Sequence, residues 1–202
     1  MLLIITGPQG SGNHLFSKIF ALSSEVQGWS ALNEQYWIGH DQEPFSEFWH
    51  RPELLDNFKW THDYYVTSIS CPYVYYGETL IPEYDNFISR CPVPVKLAII
   101  GRDQTILEYQ QSRVRGKQTK HELLSIVDNL MQYDPVFISQ ELLYLYGANY
   151  IKSLGQQLGI PVSRDVTAIN EILKEDANKK YIEPVIAHWL DEKVKQASRK
   201  PQ

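Results

Sequence analysis

MLLIITGPQGSGNHLFSKIFA, residues 1–21, decides the fold. Residues 2–6 form a short continuous apolar run, the pattern of a strand buried on both faces. Gly7-Pro8-Gln9-Gly10-Ser11-Gly12 follows at once. Residues 13–21 then predict a helix, with Leu15, Phe16, Ile19, Phe20 and Leu22 at helical spacing. A strand, a glycine-rich turn and a helix in that order make an anion cradle. Glycines let successive backbone N–H groups and the positive end of the helix dipole point at one charge. The phosphate-loop spacing G-x-x-x-x-G-K-[ST] fits Gly7 and Gly12, but Asn13 and His14 stand where Lys and Ser/Thr belong. Mg-NTP chemistry would therefore lack its metal ligand and its phosphate cation.

Outward from this stretch, apolar runs alternate with helical patterns. Residues 26–32 predict a short second strand, and residues 33–44 a long loop of polar and aromatic residues, a kind of segment that tends to be functional. A short helix is expected over 52–58, with Pro52 at its start. Residues 59–70, KWTHDYYVTSIS, predict a strand, and residues 82–90 a helix stopped by Cys91-Pro92-Val93-Pro94. The second clear buried strand is VKLAII, 95–100, ending at Gly101-Arg102-Asp103, with a helix over 105–115. A helix over 120–133 follows, with Leu123, Leu124, Val127 and Leu130 on one face. The third buried strand is PVFIS, 135–139. Helices are expected over 142–158, 166–174 and 184–196. Such alternation predicts an α/β protein, a three-layer P-loop-like fold with a mostly parallel central sheet flanked by helices. Ligands in such folds sit outside the carboxyl ends of the strands. Three ends then share one rim: residues 7–13, 101–103 and 139–141.

The 202 residues, 43% hydrophobic and 21% charged, suit one domain, expected over 1–197, with a disordered tail at 198–202. A net charge of −5 argues against a broad nucleic-acid face. Cys71 and Cys91 are too few for a disulfide scaffold and read as reduced structural thiols. With a strand from residue 2 and no apolar run of spanning length, no leader or membrane span is expected, and the compartment expected is the cytoplasm. Many of the 13 tyrosines and 5 tryptophans crowd between Trp29 and Tyr84. Core packing is the simpler reading for most of them, a pocket lining the sharper one.

The order of these features resembles the sulfotransferase family, P-loop enzymes that move a sulfuryl group from PAPS (3′-phosphoadenylyl sulfate) to a hydroxyl or amine. Residues 8–16, PQGSGNHLF, are similar to the family's 5′-phosphosulfate loop, which often reads P-[KR]-S-G-T-T-hydrophobic. Here Ser11-Gly12 matches, Asn13 and His14 replace the threonines, and Gly10 stands where the family has a cation. Residues 95–110, VKLAIIGRDQTILEYQ, look like the family's 3′-phosphate segment, with Arg102 as its arginine. Gln110 stands at its serine, and Ser112 lies two further on. Residues 133–162, YDPVFISQELLYLYGANYIKSLGQQLGIPV, look like the strand, acidic residue, long helix and Leu-Gly-Ile-Pro ending. Residues 29–90 carry no assured likeness.

Sulfuryl transfer depends on positioning and charge neutralisation. From the residues, Gly10, Ser11, Gly12 and Asn13 are expected to offer backbone donors to phosphate. Arg102 is expected to grip a second phosphate through its planar fork, against the plainer reading of an ion pair with Asp103. Arg113 and Arg115 read as a solvated face. Lys59-Trp60-Thr61-His62 is similar to the family's K-T-H, which implies His62 as the proton acceptor and Lys59 as its helper, with Trp60 as an extra residue. Glu34 competes for that role, with His40 and Glu43 on the same loop. His14 is a candidate phosphate or substrate contact, Gln110 a candidate nucleotide contact. Lys180, within Asn178-Lys179-Lys180-Tyr181, is similar to the family's basic closing segment. The expected partners are PAPS or PAP as co-substrate and a hydroxyl acceptor, with no metal. The alternatives are a non-catalytic binding or assembly module on the same fold, and an atypical nucleotide or nucleoside kinase.

Overall fold

The structure, a computed structural model, describes residues 1–28, 45–115 and 119–174, with single positions at 187, 190, 191 and 193. Glu34, His40, Glu43, Lys180, the segment 178–181, the tail 198–202, residues 29–32 of the expected second strand and most of the expected helix 184–196 lie outside the described residues.

The first strand, β1, runs Leu2–Gly7 and is buried along its whole length. Its alternate side chains feed two separate cores, as a period of two requires. Leu3 and Ile5 join Val66, Ala98, Ile100 and Ile138 on one face, and Leu2 and Ile4 join Tyr65, Leu97 and Ile99 on the other. Helix α1, Asn13–Ala21, packs on the first face and buries even Ser17 and Lys18. After it come β2, Val26–Gln27, two 3₁₀ turns at Glu47–Trp49 and Pro52–Asn57, and β3, Tyr64–Ser70. A hairpin of β4, Tyr73–Tyr75, and β5, Glu78–Leu80, precedes α2, Tyr84–Ser89. Strand β6, Val95–Gly101, leads into α3, Gln104–Arg115, and α4, Lys120–Met131. Strand β7, Val136–Ser139, runs directly into α5, Gln140–Tyr146. Helices α6, Ala148–Leu158, and α7, Val166–Lys174, follow.

Five strands form one sheet in the order β2-β3-β1-β6-β7, and every pairing in it is parallel. Residues of α1, α5, α6 and α7 cover one face. The 3₁₀ turns, α2 and α4 cover the other. The protein is thus a three-layer α/β fold. From β1 the chain passes to β2 at one edge, and from β6 to β7 at the other. The direction of winding reverses between β1 and β6, which is where open α/β sheets leave a crevice at their carboxyl ends.

Several expectations are adjusted. Of residues 59–70 only the part from Tyr64 is strand. The helix expected over 142–158 is two helices, parted at Gly147 with φ 52° and ψ −129°. The β4–β5 hairpin was not expected. The described aromatics of the middle segment are mainly core: Trp49 stacks on Phe87 with centroids 3.9 Å apart, and Phe45 touches Phe48, Phe58, Trp60 and Tyr65. Both cysteines are free thiols. Among the described residues no helix is long and apolar enough to cross a membrane.

Candidate functional site

Between β1 and α1 the chain turns through Ser11 N–H donating to the Pro8 carbonyl at 3.0 Å. Gly10 has φ 90° and Gly12 φ 100°, both in the left-handed region that glycine alone enters cheaply. Neighbouring side chains also crowd both positions. A Cβ at residue 10 would lie 2.9 Å from the Gln110 amide, and one at residue 12 would lie 3.0 Å from Gln140 Nε2. Two glutamine amides therefore press on the loop, one from α3 and one from the start of α5.

Asn13, at the position of the phosphate-loop lysine, is turned inward and buried. Its Nδ2 donates to Ser70 Oγ at 3.0 Å and to the Gly7 carbonyl at 3.4 Å, and its Oδ1 accepts from Ser11 Oγ at 3.0 Å. It is a clasp joining loop to β3. Gln9 anchors the other side. Its carbonyl accepts from Gln111 Nε2 at 2.8 Å, and its Oε1 accepts from Thr119 Oγ1 at 3.1 Å. Both groups are buried at the junction of α3 and α4. Held this way, the loop delivers as the N-cap of α1 Gly12, which has no side chain to cap the helix. That is the donor arrangement that binds an oxyanion.

The neighbouring strand ends close on the same point. Arg102 Nη1, one residue past β6, donates to the Gly10 carbonyl and to Gln110 Oε1. Asp103 makes no ion pair with it among the described residues; its Oδ1 accepts from Ile106 N at 2.9 Å and so caps α3. The Asp103 N–H donates to Glu141 Oε1 at 2.7 Å, and Ser139 Oγ donates to Glu141 Oε2 at 2.9 Å. Residues 7–13, 101–103 and 139–141 are thereby linked by hydrogen bonds. His14, on the first turn of α1, shares a 3.1 Å hydrogen bond between Nδ1 and Ser68 Oγ.

His62 and Lys59 are not brought to this rim. They precede β3, whose parallel pairing puts Tyr65 beside Leu2 and Ser70 beside Gly7. The α-amino group of Met1 donates to the Asp63 carbonyl, fixing His62 at the amino end of the sheet. Seven residues of strand separate the two ends, about 20 Å at about 3.3 Å per residue. His62 is held by its N–H donating to Tyr65 OH at 2.6 Å. The role of proton acceptor expected for His62, with Lys59 as helper, is therefore withdrawn on grounds of distance.

Residues without a sequence signal also stand at the rim. The Cys71 N–H donates to the Gly7 carbonyl at 2.9 Å, so the β4–β5 hairpin starts at the loop. There Tyr73 OH and His50 Nδ1 lie 3.1 Å apart, and the His50 ring stacks on Tyr75. Burial pushes the His50 imidazole below its usual pKa, with Glu47 pulling the other way. Burial and the Glu83 carboxylate push the Tyr73 phenol up. Tyr76, at the tip, is 91% exposed. Under the loop, Thr6 Oγ1 donates to the Ile69 carbonyl at 2.9 Å and lies 2.6 Å from Tyr84 OH, whose pKa burial raises strongly. Among the described residues no group of three His, Cys, Asp or Glu is placed to hold a metal.

No protein-family model matches this sequence, and no curated protein matches it either. The site stands on its own geometry.

Proposed function

We propose that this rim binds PAPS and transfers its sulfuryl group to a hydroxyl of a small-molecule or carbohydrate acceptor, as the likeness to sulfotransferases implies. One observation carries the reading: an uncapped, glycine-led helix N-terminus and an arginine from the next strand meet at the crevice between β1 and β6. The loop N–H groups would take the phosphosulfate and Arg102 the 3′-phosphate. In the transfer, the S–O bond to the phosphate breaks as the acceptor oxygen bonds to sulfur, and PAP leaves. The acceptor proton needs a base, and His14 replaces His62 as its candidate because it stands on the loop's own helix. Calorimetry with PAP (adenosine 3′,5′-bisphosphate) tests the binding half. Saturable binding is expected, and no heat at millimolar nucleotide overturns the reading.

A second reading, a non-catalytic nucleotide-binding module, is favoured by one feature: Gly10 brings no cation to the loop and Asn13 faces inward. Transfer of radiolabelled sulfate from PAPS to an acceptor panel separates the two. Turnover that disappears in Arg102→Ala excludes the module. Stabilisation by Mg-ATP and not by PAP would instead favour a kinase.

A further inference from the structure

Gln140 also borders the loop. It is 2% exposed, sits at the carboxyl end of β7 and opens α5. Among the described residues neither its Nε2 nor its Oε1 has a hydrogen-bond partner. Buried amides are nearly always paired, so an orphan needs an explanation. Its place supplies one. Nε2, Cδ and Cγ lie 3.0, 3.3 and 3.6 Å from where a Cβ of Gly12 would be, so the Nε2 end of the amide is nearest the N-cap of α1. Gln110, its counterpart against Gly10, spends its Oε1 on Arg102. Gln140 makes no such bond among the described residues.

We infer that Gln140 is a ligand-contacting residue of the loop, donating through Nε2–H to an oxyanion oxygen at the N-terminus of α1. Its Oε1 accepts from a hydroxyl or a protonated oxygen of the same ligand. The ligand class is therefore a phosphate or sulfate ester that also carries a hydrogen-bond donor, such as a nucleotide. A lysine or arginine at this place would read charge alone; an amide reads a donor and an acceptor side by side. This rests on the proposed anion binding at the loop and deepens it.

The test is Gln140→Leu and Gln140→Met, compared with the wild type by calorimetry against PAP and against inorganic phosphate, with melting temperatures of the ligand-free proteins. Removing an unpaired buried amide is expected to leave the ligand-free protein as stable or more stable, while PAP affinity falls about tenfold or more. Gains in stability with loss of binding are not what a purely structural glutamine gives. Unchanged PAP affinity in a folded variant overturns the role of Gln140 and leaves the loop as an anion site. Absence of both PAP and phosphate binding in the wild type overturns the loop reading itself, and this inference with it. Should both variants fail to fold, the Gln140 side-chain NH₂ resonance of the wild type decides. It is expected to shift on PAP titration, and a constant position overturns the assignment.

Discussion

Arg102 is the residue on which loop and strand end agree. Its guanidinium joins the Gly10 carbonyl to the Gln110 side chain. Arg102→Ala is expected to weaken PAP binding at least tenfold by calorimetry, while Arg102→Lys retains charge but not the planar fork and falls between. Gly12→Ala meets both a φ of 100° and the Gln140 amide, and is expected to lose about 1–3 kcal/mol in urea unfolding. Residues of this kind are legible in sequence when backbone freedom or charge marks them: glycines at 10 and 12 between apolar run and helix, an arginine just past a buried strand. Gln140 and Asn13 are not. A glutamine opening a helix and an asparagine after a glycine carry no spacing signal, and only packing shows one to be unpartnered among the described residues and the other turned inward.

At the scale of elements, β1, β6 and β7 were readable because each is a short apolar run bounded by turn residues. The rest failed for physical reasons. Gly147 lies inside a helical pattern, yet its φ and ψ stop α5 and restart the chain as α6. That conformation is nearly closed to other residues, so Gly147→Ala is expected to lose about 1–3 kcal/mol, measured by chemical denaturation. The hairpin strands are three residues each and were masked by the prolines around them. His62 is the instructive case. A residue just before a parallel strand belongs to the amino rim, whatever motif it resembles, and the strand's true start at Tyr64 makes that plain. His62→Ala and Lys59→Ala are accordingly expected to leave PAP affinity within about twofold of wild type, a comparison that calorimetry makes directly.

At the scale of the molecule, two cores on either side of one sheet bury groups that ionise only in alkali. Burial pushes the thiols of Cys71 and Cys91 up to about 12, and burial with the Asp85 carboxylate pushes the Tyr133 phenol to about 12. In the unfolded chain thiols ionise near about 8.5 and phenols near about 10. The unfolded state thus loses its protons first, and stability present below about pH 8.5 declines from there to about pH 12. Melting temperature is expected to fall steadily between about pH 9 and about pH 11, and Cys71→Ser with Cys91→Ser is expected to flatten the first part of that fall. At pH 8 both thiols should resist alkylation until denaturant is added.

The contact between Gly10 and Gln110 bears on how such a loop can change over time. Positions 10 and 110 touch each other: the Gln110 amide fills the space a Cβ at 10 needs. What stands at one of them bears on the other. A side chain at 10 meets a left-handed backbone and pushes against the end of Gln110, whose Oε1 accepts from Arg102. Shortening Gln110 clears the space but leaves the φ of 90°, so the backbone carries the lasting cost of any side chain at 10.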